Sequence, residues 1–135
     1  MPSRKLISSG SPFEGMIGFS RAVRIGNHIA VSGTGPIAQD GSTACSDDPA
    51  GQTRRCLEII KLALEQAGGR LENVYRTRIY ITDVSRWEEI GRAHGEFFGQ
   101  IRPAATMIEV SGLVRDDWWV EIEADAMLFE DPDVR

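Results

Sequence analysis

Cysteine is scarce: Cys45 and Cys56 are the only two in the chain. Two thiols are too few for a disulfide-built secreted scaffold, and neither has the C-x-x-C spacing of a zinc site. A reducing, cytoplasmic setting is therefore expected. Cys45 falls in a loop and Cys56 on a helix face, and both read as inert thiols. No apolar run reaches the roughly 18–20 residues of a bilayer span. Leu6-Ile7 is followed at once by serine, glycine and proline, so no signal-peptide core is expected. Positive charge is the minority sign, with 15 basic against 20 acidic side chains and a net charge of −5. That balance argues against a general nucleic-acid binder, whose phosphate contacts need a clustered positive surface. Gly33-Thr34-Gly35 lacks the further glycine and lysine of a phosphate loop. Of the two histidines, His28 flanks a turn and His94 lies on an apolar helical stripe, so a Ser-His-Asp hydrolase is not expected.

What remains is a chain of 135 residues, the length of one domain over 1–135. Such a chain buries roughly two-thirds of its unfolded surface and needs no metal or disulfide staple. Ala22–Ile25 and Ile29–Ser32 flank Gly26-Asn27 and predict a β-hairpin. Residues 35–49, rich in Gly, Ser, Asp and Pro, read as a loop longer than most connections. Asp48-Pro49 opens a helix over 50–67 with Cys56, Ile59, Ile60, Ala63 and Ala67 on one face, closed by Gly68-Gly69. Val74–Thr82 alternates as a strand. Ser85-Arg86-Trp87-Glu88 reads as a capping box before a second helix, whose stripe is Trp87, Ile90, His94, Phe97 and Phe98 and which Pro103 bars from continuing. Ala105–Val110 and Trp118–Leu128 are the last two strands, and Glu130–Asp133 reads as a frayed tail. Two helices on one face of a mixed sheet make an α+β layer.

One face of that sheet is left over. Along the last strand Val120, Ile122, Ala124, Ala126 and Leu128 point to the helices. Trp119, Glu121, Glu123, Asp125 and Met127 point away, so three carboxylates are bracketed by large apolar groups, to which Phe19, Met107 and Trp118 are expected to add. A solvated polar face is the plain reading. An interface between subunits carrying a charged cleft is the other.

Ser32-Gly33 after the hairpin, Arg102-Pro103-Ala104 before the fifth strand and Val120-Glu121-Ile122-Glu123-Ala124 near the end resemble the RidA/YjgF family over about residues 15–128. These are the reactive-intermediate deaminases, once called L-PSP endoribonucleases or translation inhibitors. The resemblance implies a chorismate-mutase-like α+β fold with a mixed six-stranded sheet and two helices on one face. It also implies a homotrimer with a central barrel and clefts between subunits. The implied chemistry is hydrolysis of enamine or imine intermediates to a carbonyl compound and ammonia, with no metal and no organic cofactor. By position, the family's cleft arginine falls at Ala105, its cleft cysteine at Met107, its hairpin tyrosine at Phe19 and a frequent helix asparagine at Gly91. Ser32, Gly33 and Glu121 are retained. The chain thus resembles the arginine-lacking branches of the family. A methyl group cannot make the paired hydrogen bonds by which an arginine clamps a carboxylate.

Imine hydrolysis needs a held water, a proton for the departing nitrogen and a polarised C=N bond. Glu121 in a partly dry cleft is the candidate catalytic group, with Phe19, Ser32, Gly33, Arg102, Ala105 and Met107 as substrate-binding positions. Burial and repulsion from Glu123 or Asp125 would raise its pKa. Arg102, Arg21 or Arg24 are the arginines that can stand in for the missing clamp. The alternative is a non-catalytic trimeric binder of a small metabolite or protein, suggested by the apolar Ala105 and Met107. A third reading, an RNA-acting enzyme, rests on the family's older name, and the net charge of −5 counts against it.

Overall fold

The computed structural model describes residues 3–129, so the predicted frayed tail at Glu130–Asp133 lies outside the described residues. The strands are β1 (Arg4–Ile7), β2 (Ala22–Ile25), β3 (His28–Thr34), β4 (Val74–Ile81), β5 (Ala104–Glu109) and β6 (Val120–Met127). The helices are α1 (Pro12–Ile17), α2 (Pro49–Gln66) and α3 (Trp87–Phe98). The sheet order is β1-β2-β3-β6-β4-β5. Every pairing is antiparallel except β4 with β5, which run parallel. The expected mixed six-stranded α+β architecture is the observed one. No helix among the described residues is long and apolar enough to cross a membrane.

The core forms where α2 and α3 cover one face of the sheet. Val120, Ile122, Ala124 and Ala126 of β6 and Ile79 and Ile81 of β4 meet Leu57, Ile60 and Leu64 of α2 and Ile90 and Phe98 of α3. The strict alternation along β6 carries this, because every second residue of a strand faces the same way. α2 is held at both ends as expected. The Asp48 carboxylate accepts the Gly51 N–H at 3.0 Å. At the other end Gly68 turns left-handed at φ +94 and donates to Glu65, while Gly69 donates to Leu64. These two bonds are the paired closure that a glycine after a helix permits.

The structure corrects four local expectations. β1 and α1 were not read from the sequence. Three of the four β1 residues are exposed, and α1 buries only Glu14, so neither shows a hydrophobic period. The capping box at Ser85 does not form. Asp83 accepts both the Ser85 N–H and its hydroxyl, winding Val84–Arg86 into a 3-10 turn that runs directly into α3. Glu88 is left to pair with Arg92 at 2.6 Å. Trp87 is 55% exposed rather than part of the buried stripe. Trp118 does not lie on the open sheet face either. It is 3% exposed, because fully buried Gln52 grips the chain on both sides of it, donating to the Asp117 carbonyl at 2.8 Å and accepting the Trp119 N–H at 2.7 Å. β6 starts only after that clamp, at Val120.

The uncovered face carries a charged network. Cross-strand register sets Arg76, Arg78 and Tyr80 of β4 opposite Asp125, Glu123 and Glu121 of β6. Arg78 reaches Asp125 at 3.1 Å and Glu123 at 3.5 Å. The Tyr80 hydroxyl donates to Glu123 at 2.6 Å. Leu6, Ile25, Ile108 and Met127, all exposed, share this face of the sheet.

Candidate functional site

The site begins with a fault in the sheet. The β3–β6 register shifts between Val31 and Thr34, so Ser32 and Gly33 bulge out of the ladder. A bulge re-aims side chains and leaves backbone groups unpaired. Here it opens a groove of about 470 Å³. It is lined by Gly33, Gly35, Trp118 and Glu121, by Phe13 and Ile17 of α1, and by Phe19, Arg21 and Val114. Gly33 is needed for a close approach: a Cβ there would lie 3.1 Å from Glu121 Oε2. Gly35 serves Trp118 in the same way, since a Cβ there would lie 2.3 Å from the indole ring.

Glu121 is half-buried and accepts no hydrogen bond among the described residues. Burial pushes its carboxyl above the ordinary carboxylate range; Arg21 opposes the rise and Glu123 adds to it. Its neighbours on β6, Glu123 and Asp125, share Arg78, and Glu123 also accepts from Tyr80, so Glu121 is the β6 carboxylate of this face left for a ligand or a water. Ser32 is committed, its hydroxyl donating to the Ser20 carbonyl at 2.6 Å; it is a strand-end hydrogen bonder and not a nucleophile.

Arg21 is the arginine at the groove. It is 4% exposed, with its guanidinium 5.3 Å from the Phe19 ring centroid. Its Nη1 donates to the Gly33 carbonyl at 2.6 Å and to Thr34 Oγ1 at 3.1 Å, and Nε donates to Ser9 Oγ at 3.2 Å. Glu14 stands 3.8 Å from Nε. Burial works against the Arg21 charge, and Glu14 and then Glu121 support it. Glu14 is itself buried, which raises its pKa, but hydrogen bonds from Ser9 and Ser8 and the charge of Arg21 more than reverse this and hold it below its usual value. Arg24 is used elsewhere, donating to the Gly26 carbonyl and capping α2 at the Ala67 carbonyl, 2.8 Å away.

The structure brings Phe19, Ser32, Gly33 and Glu121 together and leaves Arg102, Ala105 and Met107 apart from them in the same protomer. The last three belong to β5 or its approach, and β4 separates β5 from β6. Arg102 is exposed at φ +60. Ala105 pairs with Thr77, and Met107 with Ile79, on the helix side of the sheet. Met107 therefore does not extend the uncovered face as expected. It packs partly buried against the core, with Cε 3.8 Å from where a Cβ at Gly91 would sit. His94 Nε2 lies 2.9 Å from Thr77 Oγ1 and its ring tilts over Phe98, in agreement with a packing role; burial lowers its pKa. Cys56 is fully buried, which pushes its thiol up and keeps it inert, while Cys45 is exposed. No group of three or more His, Cys, Asp or Glu is gathered for a metal among the described residues.

Phe13, Ile17 and Val114 contribute to the groove and were not found by sequence reasoning. A signal existed for the first two: Ser11-Pro12-Phe13-Glu14 has a capping serine, a first-turn proline and an acid three residues on. Ser11 does cap α1, accepting the Phe13 N–H at 3.3 Å.

Comparison with known proteins places this geometry among relatives. Residues 11–128 match the Endoribonuclease L-PSP family. The chain is 32% identical over 126 residues to the 3-aminoacrylate deaminase RutC of Acinetobacter baylyi, covering 93% of this chain and 98% of that protein. It is 34% identical over 113 residues to a RutC family protein of Pyrococcus abyssi, covering 84% and 87%. A solved structure from Mycobacterium tuberculosis, Rv2704 of the YjgF/YER057c/UK114 family, superposes with a TM-score of 0.85 at 50% identity, covering 93% of this chain and 100% of that one.

Proposed function

The chain belongs to the Endoribonuclease L-PSP family, the RidA/YjgF proteins, and on that premise we propose that it hydrolyses reactive imines or enamines to a carbonyl compound and ammonia. The observation that carries this is the carboxylate of Glu121: half-buried, without a hydrogen-bond partner among the described residues, and pressed against the Gly33 bulge at the floor of a groove. The deaminase named for the Acinetobacter relative acts on an aminoacrylate, which is an enamine.

Glu121 holds a water and takes its proton as the oxygen adds to the C=N carbon of the protonated imine, giving a neutral carbinolamine. The protonated Glu121 returns that proton to nitrogen. It then accepts the hydroxyl proton as the C–N bond breaks, and passes it to the departing ammonia. The sum is one iminium and one water to one carbonyl compound and one ammonium ion. A carboxylate whose pKa is raised toward the working pH suits both directions of transfer.

Three copies of the chain build the working site in this reading. The exposed Leu6, Ile25, Ile108 and Met127 around the charged network support burial of that face between subunits, since apolar borders of this kind mark interfaces. In the trimer the β5 edge of one copy borders the groove of the next, adding Arg102, Ala105 and Met107 to Phe19, Ser32, Gly33 and Glu121. The reaction runs in the cytoplasm.

A second reading, a trimer that binds a small metabolite without turnover, is favoured by Ala105 where the family's arginine stands. The test generates imines in place with an amine or amino-acid oxidase and follows their loss. Acceleration over buffer that disappears in Glu121→Gln is the expected result. No acceleration with any imine, together with ligand-induced thermal stabilisation, would favour the binder instead.

A further inference from the structure

Building on the imine-hydrolase reading of this groove, we infer that its substrate carries no carboxylate: it is a protonated imine with an apolar substituent, its charge held by Glu121 and its hydrocarbon by Phe13, Phe19 and Trp118.

The groove is poorly made for an anion. Two parallel N–H bonds from one edge of a guanidinium are what secure a carboxylate. Arg21 has no such edge to offer. Nε is spent on Ser9, and the two hydrogens of Nη1 go to the Gly33 carbonyl and Thr34. Either edge that includes Nη2 therefore has its other member already bonded. The charge of Arg21 is also matched by Glu14 at 3.8 Å. Two carboxylates, Glu121 and Glu123, line the same groove and repel a third.

A cation with a hydrocarbon tail meets the opposite situation. Glu121 has accepting capacity that no described residue uses. Phe13, Phe19 and Trp118 present ring carbon, and the T-shaped contact of Phe13 with Trp118 at 6.2 Å fixes the wall. One π face of each ring is already taken by a cation of the chain itself, Arg21 over Phe19 and Arg115 over both Phe13 and Trp118, and a second cation there would be repelled. The charge contact thus falls to Glu121, and the rings supply apolar area. This seats the C=N carbon beside the carboxylate that activates water. Such imines are the first products of amine oxidation, and that reaction class must supply them.

The test pairs probes of equal skeleton. Benzylamine, benzoate and benzyl alcohol are titrated against the full chain by calorimetry. The expected result is benzylamine binding at least tenfold more tightly than benzoate, and losing at least tenfold in Glu121→Gln while benzyl alcohol is unchanged. In turnover, the imine released by a flavin amine oxidase from benzylamine should exceed in kcat/KM, by tenfold or more, the 2-imino acid released by an amino-acid oxidase from phenylalanine. Benzoate binding tighter than benzylamine, or preferred turnover of the 2-imino acid, overturns the inference and leaves the hydrolase reading standing. Loss of benzoate binding in Arg102→Gln, with urea unfolding unchanged, would then identify the clamp. Glu121-dependent binding of benzylamine with neither imine hydrolysed supports the inferred ligand class and overturns the hydrolase.

Discussion

Gly33→Ala separates the site from the fold. Gly33 has no left-handed backbone, so alanine is accommodated by the chain. The added Cβ would stand 3.1 Å from Glu121 Oε2 and 3.2 Å from its Cδ, where ordinary contact begins at 3.4 Å. The carboxylate must retreat by a few tenths of an ångström, and it is the end of a flexible side chain. Misplacement by about 1 Å costs roughly 100-fold in an oriented reaction. A shift of a third of that should lower kcat/KM by about three- to tenfold. Stability should change by less than about 1 kcal/mol, because alanine also restricts the unfolded chain. Gly35→Ala, two residues on, is the contrast. Its Cβ would meet the buried Trp118 ring at 2.3 Å, and such overpacking costs about 1–3 kcal/mol. Urea unfolding and imine hydrolysis are measured on both variants. If Gly33→Ala unfolds as early as Gly35→Ala, or hydrolyses like wild type while Glu121→Gln is dead, the placement of Glu121 against the bulge is refuted.

Three further outcomes follow from the same contacts. Glu121→Gln should stabilise the protein at neutral pH: burial raises the carboxyl, so the native state holds its proton more tightly than the unfolded chain, and stability falls as pH rises from the ordinary carboxylate range to the raised value. Thermal unfolding against pH should show that decline in wild type and not in the variant. Arg21→Met breaks a buried charge pair with Glu14 and strips the Gly33 carbonyl of its donor; a loss of about 3–5 kcal/mol in denaturant unfolding is expected. Ile122→Ala on β6, fully buried between α2 and the sheet, should cost about 2–5 kcal/mol by the same measurement.

The elements that read clearly from the sequence are those with a repeating burial pattern. β6 alternates through Val120, Ile122, Ala124 and Ala126, and each is buried. α2 announces both its ends through Asp48-Pro49 and Gly68-Gly69. β1 and α1 left no period to find, because one is an exposed edge and the other is a single short turn of chain resting on Glu14. Two misreadings came from extending a local rule past a stronger competitor. Asp83 captured the serine expected to cap α3, and Gln52 grips the backbone on both sides of Trp118, burying a ring that its size and type had set on the open face. Of the groove residues, Glu121 and Phe19 could be set on the open face by alternation and residue type, but Ser32 and Gly33 were nameable only through family likeness. Their meeting depends on the register shift at Ser32-Gly33, and spacing along one strand says nothing about where its partner slips. Arg102, Ala105 and Met107 sit across β4 from Glu121, a separation that sheet order alone reveals.

The proposed chemistry requires a Glu121 carboxyl in an environment unlike water. Carbon-13 NMR of selectively labelled glutamate, with Glu121→Gln to assign the resonance, reads this directly in the assembled protein. The carboxyl should release its proton above the ordinary carboxylate range, at a pH where kcat/KM for imine hydrolysis also rises. A Glu121 resonance that titrates like a solvated glutamate would contradict it.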